Sequence, residues 1–460
     1  MKFTKKICAV IIMSLFLINA DAASVPTNQT EPLNSDSYVL IQGLGGFNDI
    51  TISDEHAVLS GNDFIKILSN LTGYSVETMM PNLRNKEIVT LSESVKLLID
   101  ILGYTVLAEK DGGYPIGYLT QALRLELFDN SKFTPGRALT YSSFSEILEN
   151  ALSVDILKQV TYGEEKRYET RSGINFLTEI LGLKKIEGQV TANKVTGIDN
   201  LNGVDAGLIE IDKKIFKYDE KIPHISNMIG HFVVAYYKYD KNEAETELKT
   251  ILYVEENSRY KIMTIDSGNI EEYSENILKY TKDGNDKVMS ITLPKDVFVI
   301  YNGAAATSYN SDIFLINEGN IKIIYDRFDY INTVIITEYI DFVISGIDTE
   351  QFIVYNKLAN AGLTNLSIKL DESDPDYLIN LRTVDNQTVK FSDLKVDDIL
   401  SVAQNGLYSD IIVSKNILKE FKISEKIQED GEIIYSNGEK SIALSEEFKN
   451  SKIFIDPPIG

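Results

Sequence analysis

The hydrophobic period of this chain changes once, and that change limits what it can fold into. From about residue 37 to 182 apolar residues recur at helical spacing, and from about 186 they gather in short strand-like runs. A switch of this kind marks a domain boundary.

The helical part repeats a unit. Ser60 precedes Phe64, Ile67, Leu68 and Leu71; Thr90 precedes Val95, Leu98, Ile99 and Leu102; Thr140 precedes Phe144, Ile147, Leu148 and Ala151. Each apolar set has i, i+3, i+4, i+7 spacing, so it lines one helix face, and each follows an N-cap hydroxyl. Asp63 and Glu93 add the acid of a capping box. Gly73 and Gly103, each followed by Tyr, suit left-handed helix ends. A further helix is expected near Pro115 and a last one over 174–181.

The later part contains HFVVAYYKY, KTILYVEE, DVFVIYNG, NIKIIYD, NTVIITEY and QFIVYN. Asp283-Gly284, Asn302-Gly303, Asn405-Gly406, Asp430-Gly431 and Asn437-Gly438 supply hairpin turns between such runs. Small antiparallel β units are expected.

Residues 1–22 read as a secretory signal peptide: Lys2, Lys5 and Lys6, an apolar run, then Ala20-Asp21-Ala22. The run is too short for a membrane span. Its removal takes the lone Cys8 and moves the net charge from −23 to −25. Thiolate chemistry and disulfides are then excluded. An acidic chain with 45 Lys and Arg against 68 Asp and Glu repels phosphate backbones, so nucleic acid is a poor partner. No membrane span is expected in the mature chain, and no cofactor. His56, His224 and His231 have no metal or triad spacing, and no P-loop or nucleophile elbow occurs. Composition points away from an enzyme, although two of the many carboxylates could serve a glycosidase. The loop Asp371–Asp376 fits a solvated turn or a calcium ligand set.

The stretch from Leu91 to Ile198, and less strongly from about Tyr38 to Ser424, resembles S-layer homology (SLH) proteins of the clostridial and bacillar type. These are Gram-positive surface proteins whose three helical repeats bind a secondary cell-wall polysaccharide. The resemblance implies a multidomain α + β protein, with an N-terminal all-α SLH-like helical bundle followed by antiparallel β-rich small domains. The expected divisions are a leader (1–22), a linker (23–36), SLH-like repeats (37–160) and a connecting helix (161–185). A β-rich domain (186–345), a second small β domain (346–424) and a partial β unit or tail (425–460) follow. The implied location is the cell wall or cell surface, after secretion. The implied partner is a secondary cell-wall polysaccharide or peptidoglycan-linked polymer, and beyond it the chain itself or other surface proteins.

The family's groove motif reads roughly Ile-Thr-Arg-Ala-Glu, and its Arg is replaced by Gly61, Leu91 and Tyr141 in the three copies. An acidic sugar thereby loses its guanidinium partner. Asp63, Thr90, Glu93 and Thr140 occupy matching motif positions, yet each also fits a helix cap. Tyr114 and Tyr118 could stack on a sugar or pack in a core. Arg124 could meet an anion or stay solvated. The expected function is an exported structural protein held to the wall non-covalently. The alternatives are a secreted polysaccharide-acting enzyme and a freely secreted binding protein with a non-binding SLH scaffold.

Overall fold

The three cap-and-helix units close a ring. In the computed structural model of the chain, the residues just before the three caps bond head to tail. Leu59 N donates to Leu139 O (2.8 Å), Leu139 N to Val89 O (2.9 Å), and Val89 N to Leu59 O (3.0 Å). One residue past each cap a second set of links runs round the ring in the opposite sense: Gly61 N to Lys86 O, Leu91 N to Arg137 O and Tyr141 N to Ala57 O. Leu59, Val89 and Leu139 are buried. Their amides would be costly there unpaired, so each copy supplies what the next one lacks.

The structure describes residues 35–414 except 76–80, 130–133, 135, 163–164, 199–200, 219–221, 242–246, 283–284, 307–310, 358–365, 375 and 385. It also describes the backbone of 425–429, 432–436 and 441–444. The leader, most of the 23–36 linker and the turns at 283–284, 430–431 and 437–438 lie outside the described residues.

The helices are α1 (Asp36–Gly43), α2 (Gly61–Thr72), α3 (Leu91–Ile101), α4 (Thr105–Lys110), α5 (Ile116–Arg124) and α6 (Tyr141–Leu152). α2, α3 and α6 start after Ser60, Thr90 and Thr140, and all twelve apolar positions of the three repeats are buried in one core. Phe64 and Phe144, four residues past their caps, meet at 4.9 Å between ring centroids. The same place in the second copy is Ser94, also fully buried.

The expected fold class is overturned. The protein is mostly β: the described residues form 24 strands against six α-helices. The helical core is no all-α unit, because Phe176, Leu177, Leu183, Val234, Tyr236 and Tyr253 from the β part complete it. Gly43 lies so close to Tyr253 that a Cβ would be 2.4 Å from the ring. Amphipathic helices of 6 to 12 residues cannot cover their own apolar faces here, and the barrel supplies the missing wall.

The connecting helix expected over 161–185 is also corrected. Strands β1 (Asp155–Tyr162) and β2 (Glu165–Asn175) form a two-stranded antiparallel ribbon, followed by one π-helical turn over Phe176–Ile180. Apolar spacing in this stretch is set by where the ribbon lands on the helices, which period alone does not reveal.

Five strands then close a barrel in the order β3-β4-β5-β7-β6: β3 (Leu183–Ala192), β4 (Leu208–Ile211), β5 (Lys214–Tyr218), β6 (Phe232–Lys241) and β7 (Glu247–Glu256). Next come β8 (Ile262–Asp266), β9 (Ile270–Ser274), β10 (Ile277–Lys282), β11 (Asn285–Thr292), β12 (Phe298–Tyr301), β13 (Ala304–Ala305), β14 (Gly319–Tyr325) and β15 (Ile331–Glu338). They make a three-stranded sheet, β11-β10-β9, and a five-stranded one, β13-β12-β15-β14-β8. A six-stranded sheet, β18-β17-β16-β20-β21-β19, uses β16 (Ile340–Asp348), β17 (Ile353–Asn356), β18 (Ser367–Lys369), β19 (Leu378–Thr383), β20 (Ile399–Asn405) and β21 (Tyr408–Ser414). A last sheet holds β22 (Glu425–Glu429), β23 (Glu432–Ser436) and β24 (Ser441–Leu444).

The sheets are not purely antiparallel. β5 runs parallel to β7, β12 to β15 and β19 to β21. Side chains join successive units. Gln189 Nε2 donates to Gly230 O, Asn332 Oδ1 and Thr333 Oγ1 between barrel and five-stranded sheet. Asn302, in a left-handed Asn-Gly turn, donates to Gln404 O, and Asn405 Nδ2 donates to Tyr301 O, tying that sheet to the next.

Candidate functional site

The sequence-derived candidates fall into three groups around the cap ring. The first joins copies one and three. Ser60 Oγ donates to Asp63 Oδ2 at 2.8 Å, and the same oxygen accepts from Tyr141 OH at 2.6 Å. Tyr141 stands at the motif's Arg place in the third copy, so there a buried phenol, rather than a guanidinium, reaches the carboxylate of the first. Burial and the Asp63 hydrogen bond and charge push the Tyr141 pKa well above the usual phenol value. Asp63 is thereby held inside the fold.

Thr140 closes its own cap. Its Oγ1 accepts from Ser143 N at 3.1 Å, and its N donates to Ser143 Oγ at 2.9 Å.

The largest group surrounds the second cap. Glu93 Oε2 accepts from Thr90 N at 3.0 Å and from Thr90 Oγ1 at 2.8 Å, while Lys86 pairs with Oε1. Burial raises the Glu93 pKa, but the Lys86 hydrogen bond, the two Thr90 bonds and the Lys86 charge together hold it below the ordinary value. Thr90 Oγ1 lies 3.3 Å from Ser92 Oγ, which accepts from Tyr114 OH at 3.3 Å. Tyr114 is 48% exposed and meets Tyr118 edge to face at 6.1 Å. Tyr118 is buried, donates to Glu109 Oε1 at 3.0 Å and carries Lys96 Nζ 5.3 Å from its ring centroid. Burial, then Asp100 and Glu109, push its pKa up.

Thr90, Glu93, Tyr114 and Tyr118 therefore form one contiguous cluster with Ser92, Lys86 and Lys96, in which Tyr118 and Ser92 are buried and Tyr114 is the exposed ring. Asp63 and Thr140 belong elsewhere on the ring. Arg124 pairs with Asp111, which also accepts from Gln121. Sequence spacing could not find Tyr141 or Ser92, because only ring closure brings copy three to copy one, and only the packing of α5 on α3 brings Tyr114 to the second cap.

A shallow cleft of about 570 Å³ beside this module is lined by Leu123, Glu126, Phe128, Asp129, Glu146 and Asn150. Its three carboxylates disfavour an anionic sugar there. In the β part, the Asp371–Asp374 loop is bridged by Lys369, whose Nζ lies 3.6 Å from Asp371 and 3.0 Å from Asp374. Among the described residues no group of three or more His, Cys, Asp or Glu side chains is placed to hold a metal ion. No described helix is long and apolar enough to cross a membrane. Glu255 is a carboxylate with a raised pKa, caused first by burial and also by Glu149 and Asp36, against a lowering hydrogen bond from Tyr253.

The chain is similar to a cell wall protein. The relative is the "Middle cell wall protein" of Brevibacillus brevis, 27% identical over 233 residues, covering 44% of this chain and 20% of that protein. The match therefore spans about a fifth of the relative's length. No family model matches the chain.

Proposed function

We propose that this is an exported structural protein of the cell surface, associated non-covalently with the wall through its helical module. The observation that carries the reading is the similarity to a protein named for the cell wall. The surface around the second cap supports it. Tyr114 offers an exposed ring, Thr90 a half-buried hydroxyl, and Lys86 and Lys96 ammonium groups at the same place, with Ser92 buried beneath them. A sugar needs such a mixture of ring face and hydrogen-bonding groups. The partner is a secondary cell-wall polysaccharide or another peptidoglycan-linked polymer. The β units carry the acidic surface outward, without enzymatic activity.

The cations of this module are largely matched by carboxylates: Lys86 by Glu93, Lys96 by Asp100 and Arg124 by Asp111. Attachment is therefore expected to be of moderate strength and to rest on stacking and hydroxyl contacts rather than on charge.

The test is sedimentation of residues 23–460 with Gram-positive sacculi, intact or stripped of secondary polysaccharide by acid. Pelleting with intact walls alone supports the proposal. Equal recovery in both supernatants would refute it and favour a freely secreted protein.

A further inference from the structure

The barrel carries a feature that wall attachment does not use. Lys184 on β3 and Tyr237 on β6 are paired in register, as are Tyr239 on β6 and Lys249 on β7. Residues directly opposite in an antiparallel pair share a face, so these four side chains lie on the same side of the sheet. Lys184 Nζ sits 4.4 Å from the Tyr239 ring centroid. Tyr239 meets Tyr237 at 5.7 Å and Tyr237 meets Phe216 at 5.1 Å, both edge to face. Lys249 Nζ is 5.7 Å from the Phe216 centroid. The result is an unbroken ladder, Lys184–Tyr239–Tyr237–Phe216–Lys249, with an ammonium at each end.

Phe216 roots the ladder in the barrel core, with Tyr237 packed against it, while the tyrosines are half-buried and Lys184 is exposed. The tyrosines therefore have fixed rings and partly exposed side chains, with the Tyr237 and Tyr239 hydroxyls hydrogen-bonded to each other.

In a chain with excess acid, several lysines are paired with carboxylates, among them Lys158 with Glu179, Lys185 with Glu187, Lys279 with Glu272 and Lys369 with Asp374, whereas Lys261 lies over the Tyr325 ring. Among the described residues Lys184 and Lys249 have aromatic neighbours and no carboxylate partner. Two ammonium groups and two phenol hydroxyls along an aromatic strip match a sugar bearing carboxylate groups. The apolar edges receive its C–H faces, the hydroxyls its ring oxygens and the lysines its charges.

We propose that this ladder is a binding site for an anionic saccharide, separate from the helical module. The probe is tetragalacturonate, titrated calorimetrically into residues 23–460 at low salt, with maltotetraose and acetate as neutral and non-sugar controls. Saturable binding of tetragalacturonate alone is expected. Lys184→Gln and Lys249→Gln should each weaken it about tenfold or more, as loss of a charged hydrogen bond does. Lys184→Arg and Lys249→Arg should retain it, and added salt should weaken it. Should a variant fail to fold, acetylation of the native protein gives the same answer: bound tetragalacturonate should protect Lys184 and Lys249. Absence of saturable binding, equal binding of maltotetraose or acetate, or indifference to both Gln substitutions and to protection would overturn the site. Binding to stripped sacculi does not bear on it, so the two proposals fail independently.

Discussion

Gly73 and Gly103 both end helices in the left-handed region, with φ of 70° and 85°, yet they differ in what stands beside them. A Cβ at Gly73 would meet nothing within 4 Å, whereas one at Gly103 would lie 2.1 Å from Leu157 O in β1. Gly73→Ala should therefore cost only the left-handed penalty, about 1–2 kcal/mol. Gly103→Ala bears the same penalty plus about 1–3 kcal/mol for forcing backbone apart, as overpacking does. It also weakens the bond from Leu157 N to Leu102 O (2.9 Å), a net contribution of about 1 kcal/mol. The difference between the variants is then about 2–4 kcal/mol. With a urea slope of about 2 kcal/mol/M, Gly103→Ala should unfold roughly 1–2 M earlier than Gly73→Ala by circular dichroism. Equal midpoints would show that the ribbon is not seated on the end of α3, and the shared helix–barrel core would lose its support.

Three further outcomes are expected. Ser94 Oγ is buried without a hydrogen-bond partner among the described residues, so Ser94→Ala should raise stability by about 1 kcal/mol in urea titrations. Asp410 is buried and holds Arg382 (2.9 Å) and Tyr339 (2.7 Å); Asp410→Asn should cost about 3 kcal/mol, read the same way. Glu93 has a folded pKa below its unfolded value of 4.5, so its contribution is complete above that pH and is lost as pH falls through the folded pKa. The stability gap between wild type and Glu93→Gln should accordingly shrink as pH falls from neutral to below 4.5, whereas a constant gap would show that ionisation of Glu93 is not what matters.

The same asymmetry operates at high pH. Tyr118, Tyr141, Tyr253 and Tyr339 have pKa values raised above 10 chiefly by burial. Stability from these groups is present below pH 10 and declines as pH rises toward their folded values.

The helical repeats were legible because their information is local. Caps at Ser60, Thr90 and Thr140 and apolar sets spaced within two turns form before any distant partner is needed. Strand runs such as 232–239 and 320–325 were legible for the same reason. What could not be read is what depends on pairing across the chain. The ribbon at 155–175 takes its shape from docking on α3 and from its own register, and the barrel closes through β3 and β6, more than forty residues apart in sequence. At the site, caps and tyrosines were visible, but the partner of Asp63 was not. Tyr141 is 78 residues away and reaches it only because three copies form a ring.

Wall association through the surface around the second cap is tested most directly by pelleting wild type and Tyr114→Ala side by side on intact and stripped sacculi. Tyr114 is exposed and gives the fold a single long hydrogen bond to Ser92, so its removal leaves the caps in place. Wild type should pellet with intact walls only, and Tyr114→Ala should lose most of that binding while keeping its urea midpoint. Equal pelleting of the two proteins, or pelleting of wild type with stripped walls, would contradict the assignment of the contact to this surface.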